Sequence, residues 1–549
     1  EIRLSLVGSE MCIRDSIYSG GTILPLTGCD ATLEAVAVKD GVILACGSRA
    51  DVEKLAGPDT ERVDLAGSTM LPGFYDAHSH FVEVGTGRLI YSNVNCPPYG
   101  PVERIQDVLD ILREKAERTP KGKSVIGAGY DQNIIAEHRH LTRVDLDQVS
   151  TEHPVICDHV TSHFMYVNSM ALRIAGIDRN TPDPQGGVIR RDEQGEPTGV
   201  LEETAVDLIW YKDELGFLGT RDEKIRGLKE ATDYYAARGY TTANQGLVGD
   251  AEIMQEGEKQ GYLGIRCTLW SAPEPAAKYA KENVKSEGNM FFMTGGKEFQ
   301  DGSIGCGTAY LTKPYYTKLP DRSADYCGSP VWSREELTEL VKKVHNAGAQ
   351  MHIHCNGDAA IDDVLYAYEQ AQLENPCPDP RHVVVHAQMS RMDQLEKMKE
   401  LGVTPTFYVP TLYPNGDIFE STYLGPERCE HVDPIKTAMD MGLHPTVHTD
   451  CPVMPPDPLT SIWTAVTRKA KSGAVIGQTE RLSVYEALLA STINAAYQSK
   501  QEDLVGTIEP GKWADFVVLD RNPLQVDADD IPNLKILKTI VGGRCVYQA

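Results

Sequence analysis

The sequence predicts an α/β protein: a (β/α)8 TIM barrel with a small β-sandwich domain built from both chain ends and an inserted α/β subdomain. Three observations carry this expectation. Apolar runs of strand length alternate with amphipathic stretches through most of the chain, the pattern of a parallel sheet closed by crossover helices. Glycine-broken β-type runs stand at both ends. The 549 residues exceed one compact core, yet suit a barrel of roughly 250 to 400 residues with accessory parts.

The elements follow in chain order. The opening EIRLSLVGSEMCIRDS (1–16) resembles translated adapter sequence and is expected to be a non-native leader outside the fold. Residues 17–69 form the first part of the sandwich, with AVAVKDGVILACG alternating around Asp40-Gly41 as a hairpin does. The barrel occupies 70–504, and its eight candidate strands are 69–78, 240–246, 264–271, 291–299, 350–355, 382–387, 403–408 and 444–450. Amphipathic stretches separate most of them, such as 221–239, which ends on a glycine suited to a helix C-terminus. The gap at about 85–215 is too long for a crossover and reads as an insertion near the barrel mouth. Residues 505–549, with VGTIEPGKWADFVVLD and LKILKTIVGGRCVYQ, supply the second part of the sandwich.

Composition removes several function classes. A formal charge of −26 repels phosphate backbones and anionic lipid, so neither nucleic acid nor a membrane is an expected partner. No apolar run reaches the length of a spanning helix and no secretion signal opens the chain, which makes the cytoplasm the expected compartment. The 13 cysteines are odd in number and never spaced C-x-x-C, against both a disulfide framework and a thiolate zinc knuckle. A small-molecule substrate is the expected partner, and homo-oligomerisation stays open.

Histidine placement points to chemistry. Eight of the 15 histidines fall in evenly spaced pairs: His78/His80, His352/His354, His382/His386 and His444/His448. Residues two or four apart on a strand share a face, so each pair is expected to project into the barrel. Barrel sites lie at the C-terminal strand ends, which nominates the later members His354 and His386. A single buried histidine is more often a hydrogen-bonded core residue than a ligand. Asp76-Ala77-His78-Ser79-His80 is a stronger signal, because two desolvated imidazoles side by side gain little without a cation. Asp450, at the tip of the last strand, adds a carboxylate that can ligate metal and move protons. The deeper His352, His382, His444 and His448 read as supporting or structural residues.

These residues resemble the amidohydrolase superfamily, in the branch of the N-substituted formamide deformylases. The markers are LPGFYDAHSH (71–80), GGKEFQDGSIG (295–305), HIHCNGDAAID (352–362), RHVVVHAQ (381–388), HTDCPV (448–453) and EPGKWADFVVLD (509–520). The resemblance implies that Lys297 is carboxylated by carbon dioxide and bridges two metals. It implies that His78, His80, Asp450 and the Lys297 carbamate hold one metal, while His354, His386 and the same carbamate hold the other. A buried lysine tends to be neutral, and so nucleophilic enough to form a carbamate; the bland alternative pairs Lys297 with Asp301. Glu298 departs from the pattern, standing where relatives carry an apolar residue.

The activity implied is hydrolysis of a non-peptide C–N bond, such as an N-formyl or N-acyl amine, through a metal-bridging hydroxide. Asp450 is the expected catalytic proton carrier. Histidine and carboxylate ligands suit zinc, manganese or iron, with zinc the choice on frequency. His163 resembles a histidine of relatives that reaches the site, and Tyr130, Asp131, Asp301 and Tyr408 are further candidate substrate contacts, each equally open to a structural role. Two alternatives remain: a metal-dependent lactone or ester hydrolase, and a catalytically silent scaffold protein.

Overall fold

The computed structural model describes residues 15–247, 250–320 and 322–549. The expected leader lies outside them except at its end. There Ser16 already pairs with Val38 and Glu61 in a strand spanning Ser16–Ile23, so the last residue of the stretch set aside as leader belongs to the fold.

Eight strands form the central sheet: β1 (Phe74–Tyr75), β2 (Tyr240–Gly246), β3 (Arg266–Ser271), β4 (Phe291–Phe299), β5 (Gln350–Cys355), β6 (Val383–His386), β7 (Thr404–Phe407) and β8 (Thr446–Val447). Each pairs in parallel with the next in chain order, the topology of a TIM-like barrel. The segments following β8 and β1 are tied together by Asp450 N–H to the His78 carbonyl (3.0 Å) and His80 N–H to the Cys451 carbonyl (2.8 Å).

Amphipathic helices cover the strands. Helix Arg221–Ala236 opens on a Thr220/Glu223 capping box that satisfies its first free amides, and Arg334–His345 does the same with Ser333 and Glu336. Their apolar faces bury Leu228, Val341 and Val344 against Ala243, Met351, Ile353 and Val384 from the strands. Inside the barrel, Trp270, Val383 and Val385 form a separate apolar cluster below the mouth.

The run expected as one strand from Thr69 to His78 is split. Thr69–Pro72 belongs to a different sheet, and only Phe74–Tyr75 enters the barrel. Gly73 makes the transfer possible, since a Cβ there would lie 2.1 Å from the Thr241 side chain. The sheet that takes Thr69–Pro72 joins both chain ends, in the order 544–548, 536–541, 516–519, 69–72, 16–23, 33–39 and 42–47, with 61–64 alongside 16–23. The expected hairpin is present: Asp40 and Gly41, with φ of 50° and 79°, connect antiparallel Leu33–Lys39 and Val42–Gly47.

The long segment between β1 and β2 holds a six-stranded sheet, ordered 187–191, 197–203, 164–167, 155–159, 125–130 and 92–93. Residues at its 159–163 turn reach over the barrel mouth. No described helix is long and apolar enough to cross a membrane.

Candidate metal centre

Strand register decides which side chains enter the barrel. In β5, Met351 and Ile353 pack outward on helices, which sends His352 and His354 inward. Lys297 of β4 pairs with His352 and likewise turns inward, its Nζ 3.3 Å from His78 Nε2, while Glu298 takes the opposite side and accepts the Phe299 amide. The departure at Glu298 therefore leaves the lysine's register intact.

Strand β6 overturns the simple parity argument. Val383 and Val385 occupy the interior and Val384 the outer face, so His382, Val384 and His386 share the outward parity. His382 stays outside, bonded to helix residue His345 (2.9 Å) and stacked on Tyr368. His386 reaches the site only because its backbone turns left-handed at the strand end, with φ of 72° there and 52° at Ala387. Such strain in non-glycine residues costs about 1–3 kcal/mol each and collects at functional sites. His444 is also not inward: it precedes β8, is exposed, and lies against Tyr497. The expectation that all four pairs face the interior fails for these two.

At the mouth, His78, His386 and Asp450 each present a ligand atom within 4.8 Å of the others. Asp450 Oδ1 lies 3.1 Å from His78 Nε2 and 3.3 Å from His80 Nε2. Neither contact has hydrogen-bond geometry, so this buried oxygen has no hydrogen-bond partner. His354 Nδ1 and His386 Nε2 face each other at 3.0 Å. The arrangement thus brings together His78, His80, Lys297, His354, His386 and Asp450 from five strand ends.

The electrostatics suit a cation. Burial holds the His78, His354 and His386 imidazoles well below the usual histidine range, reinforced by Lys297 beside His78, by His163 beside His354 and by His354 beside His386. They are neutral lone-pair donors. Burial lowers Lys297 to about 8, which leaves an appreciable neutral fraction at physiological pH. Uncharged imidazoles converging on a carboxylate oxygen with no hydrogen-bond partner fit a divalent ion better than they fit one another.

The remaining candidates separate. A cavity of about 100 Å3 runs from the mouth under the inserted segment and is lined by His163, Asp131 and Tyr408. His163 Nδ1 is 2.7 Å from Glu203 Oε2. The Tyr408 hydroxyl is buried without a partner. Asp131 accepts the Asn133 amide, and burial raises it to about 6. Tyr130 is away from the cavity, its hydroxyl donating to the Arg139 carbonyl (2.6 Å) and its ring packed on Tyr166. Asp301 is a clamp: its two oxygens accept the amides of Asn356, Tyr310 and Gly357, which pins the turn after β5. Sequence reasoning missed His159, Asn356 and Gln388, which also line the cavity. Asn356 stands within the HIHCNGD run already singled out, two residues beyond His354, the one signal that marks it.

Comparison with known proteins agrees with this geometry. The profile of the amidohydrolase family matches residues 61–547. YtcJ of Bacillus subtilis (strain 168) is 31% identical over 97% of this chain and 99% of its own length. N-substituted formamide deformylase of Arthrobacter pascens is 28% identical, covering 98% and 99%. The crystal structure of an uncharacterized metal-dependent hydrolase from Pyrococcus horikoshii OT3 superposes with a TM-score of 0.75 at 25% identity, over 94% of this chain and 99% of that one.

Proposed function

The chain belongs to the amidohydrolase family, and on that premise we propose that it hydrolyses a non-peptide C–N bond of a small N-formyl or N-acyl amine with two divalent metal ions. The observation that carries this reading is the convergence of four histidines, a lysine and an aspartate on one space, with the Asp450 Oδ1 oxygen left without a hydrogen bond. His78, His80 and Asp450 would hold one ion, His354 and His386 the other, and Lys297, as its carbamate, both. Bound there, the ions supply an activated water at neutral pH and polarise a carbonyl. Zinc is the ion we propose, manganese and iron having the same ligand preferences.

Asp450 has its carboxylate at the mouth. It accepts a proton from the attacking water and returns it to the leaving nitrogen, which departs poorly unless protonated. The Tyr408 hydroxyl, buried and unpartnered, is a donor for a substrate oxygen. Asn356 Nδ2 donates to the Gly302 carbonyl (2.9 Å), which fixes the amide so that Oδ1 is an acceptor without a partner. Nδ2 is the atom beside His354, 3.1 Å from its Nε2, and the unpartnered Oδ1 acceptor supports a substrate N–H, which a primary or secondary amide has and an ester lacks. Residues of the inserted segment, His163 among them, cover the mouth and limit water entry.

Metal analysis joined to an activity screen tests the reading. Purified protein is expected to carry stoichiometric divalent metal and to hydrolyse N-formyl or N-acyl amines, with loss on chelation and return on metal addition. Matched esters and lactones belong in the panel, since preference for them would move the substrate class. Protein without stoichiometric metal and without turnover would instead support a scaffold.

A further inference from the structure

His448 is buried in the barrel yet belongs to neither proposed ligand set. Its Nε2 lies 2.9 Å from Nδ1 of His386, and its Nδ1 lies 2.8 Å from Oγ1 of Thr406 on β7. Thr406 is fully buried. The His448 ring is clamped by stacking on Tyr408, with centroids 5.1 Å apart and planes 10° from parallel. These contacts form one line: Thr406, His448, His386, and then His386 Nε2 opposite His354 Nδ1 at 3.0 Å.

Two proton arrangements satisfy that line. In one, Thr406 donates to His448, His448 Nε2–H donates to His386 Nδ1, and His386 points Nε2–H at His354. In the other, His386 Nδ1–H donates to His448 Nε2 and His448 Nδ1–H donates to the Thr406 oxygen, which leaves His386 Nε2 as a bare lone pair. Both carry the same number of protons, because a hydroxyl at the end of the line can donate or accept. Only the second exposes a ligating atom toward the space shared with His354. Metal-bound histidines usually donate their other ring N–H to a carboxylate or carbonyl, and that partner sets the tautomer. Here the acceptor is an imidazole whose own polarity is set by a threonine.

We propose that His448 and Thr406 are positioning residues that make Nε2 of His386 the coordinating nitrogen, with the His386–His448–Thr406 line donating away from the metal. The inference rests on the reading that His354 and His386 hold a cation, and concerns how the second of them is prepared for it.

Histidine-selective 15N NMR on zinc-loaded protein tests it directly. His448, assigned by its disappearance in H448Q, is expected to carry its proton on Nδ1, the minor tautomer of free imidazole; a proton on Nε2 in the loaded protein overturns the proposal. Zinc affinity by chelator competition gives an independent reading. H448Q keeps an acceptor for His386 and is expected to stay within about threefold of the parent, whereas H448L is expected to bind about 10–100-fold more weakly. Equal affinity of H448L and the parent, or an H448Q as weak as H448L, overturns it. Should H448L not fold, T406V carries the comparison, since it removes the acceptor for His448 Nδ1–H and is expected to weaken zinc binding in the same direction. A parent protein that binds no zinc would defeat the metal reading itself, a result distinct from parent-like binding by H448L.

Discussion

Asn244 and His78 are locked in one polarity. Asn244 Nδ2 donates to the Thr268 carbonyl (3.2 Å) and hydroxyl (3.0 Å), so its Oδ1 is the atom lying 3.3 Å from His78 Nδ1. A carbonyl only accepts, which fixes the amide and requires Nδ1 of His78 to carry the proton. The bare Nε2 then faces Asp450 and Lys297. The ring is also stacked on Trp270 (4.9 Å, 13°), so neither its tautomer nor its plane is free.

Replacing Asn244 by leucine is therefore expected to weaken metal binding about 10–100-fold while the barrel still folds. Chelator competition on the folded variant measures this, and unchanged affinity would show that Trp270 alone positions His78.

Asp450→Asn is expected to keep most of the metal and lose turnover by about 10²–10⁴-fold, the usual range for a proton carrier. Metal content and kcat measured on the same preparation separate the two effects. A variant that turns over normally would remove Asp450 from the chemistry.

Lys297 reacts with carbon dioxide only as the neutral amine. With its pKa lowered to about 8, the neutral fraction rises from about one-tenth near pH 7 to about nine-tenths near pH 9. At a fixed concentration of dissolved carbon dioxide, reconstitution of chelator-stripped protein with zinc is expected to accelerate with rising pH over that window, and at one fixed pH it is expected to accelerate with added bicarbonate. Lys297→Met should show neither response and should bind less metal; a bicarbonate-independent parent would exclude the carbamate.

His382 offers a pH test away from the site. Burial, with His345 and His352 beside it, holds the imidazole well below the histidine range, so it stays neutral in the fold. In the unfolded chain it protonates near pH 6.5. Its contribution is complete above that value and is lost as pH falls below it, at up to about 1.4 kcal/mol per pH unit for one group. Urea midpoints at two pH values straddling that point are expected to drop less for His382→Leu than for the parent, even though the variant is weaker at neutral pH. A parallel fall in both would assign the acid sensitivity to other groups.

Much of this organisation was legible in the residues. The spans expected for β2, β4 and β5 match the observed strands. His354 lies near the C-terminal end of β5, and His78, His80 and Asp450 follow the ends of β1 and β8. The first strand was misread, since nothing in the run from Thr69 to His78 tells that Gly73 hands the chain from one sheet to another. His382 and His386 were credited with the same inward face. Even spacing fixes only that two residues agree in direction while the strand continues, and β6 ends at His386 with a left-handed turn.

What the chain encodes by itself is the supply of donors and their order: imidazoles and a carboxylate at the ends of separate strands, with helices that cap and cover them. Those features depend on neighbours a few residues away. The three-dimensional fold alone decided which ring nitrogen His78 offers, that Asp301 secures a turn while Asp131 lines the cavity, and that His448 lies against His386. Each of these depends on contacts between distant positions, such as His386 with His448 and Asn244 with His78, whose distances are set by barrel closure and packing.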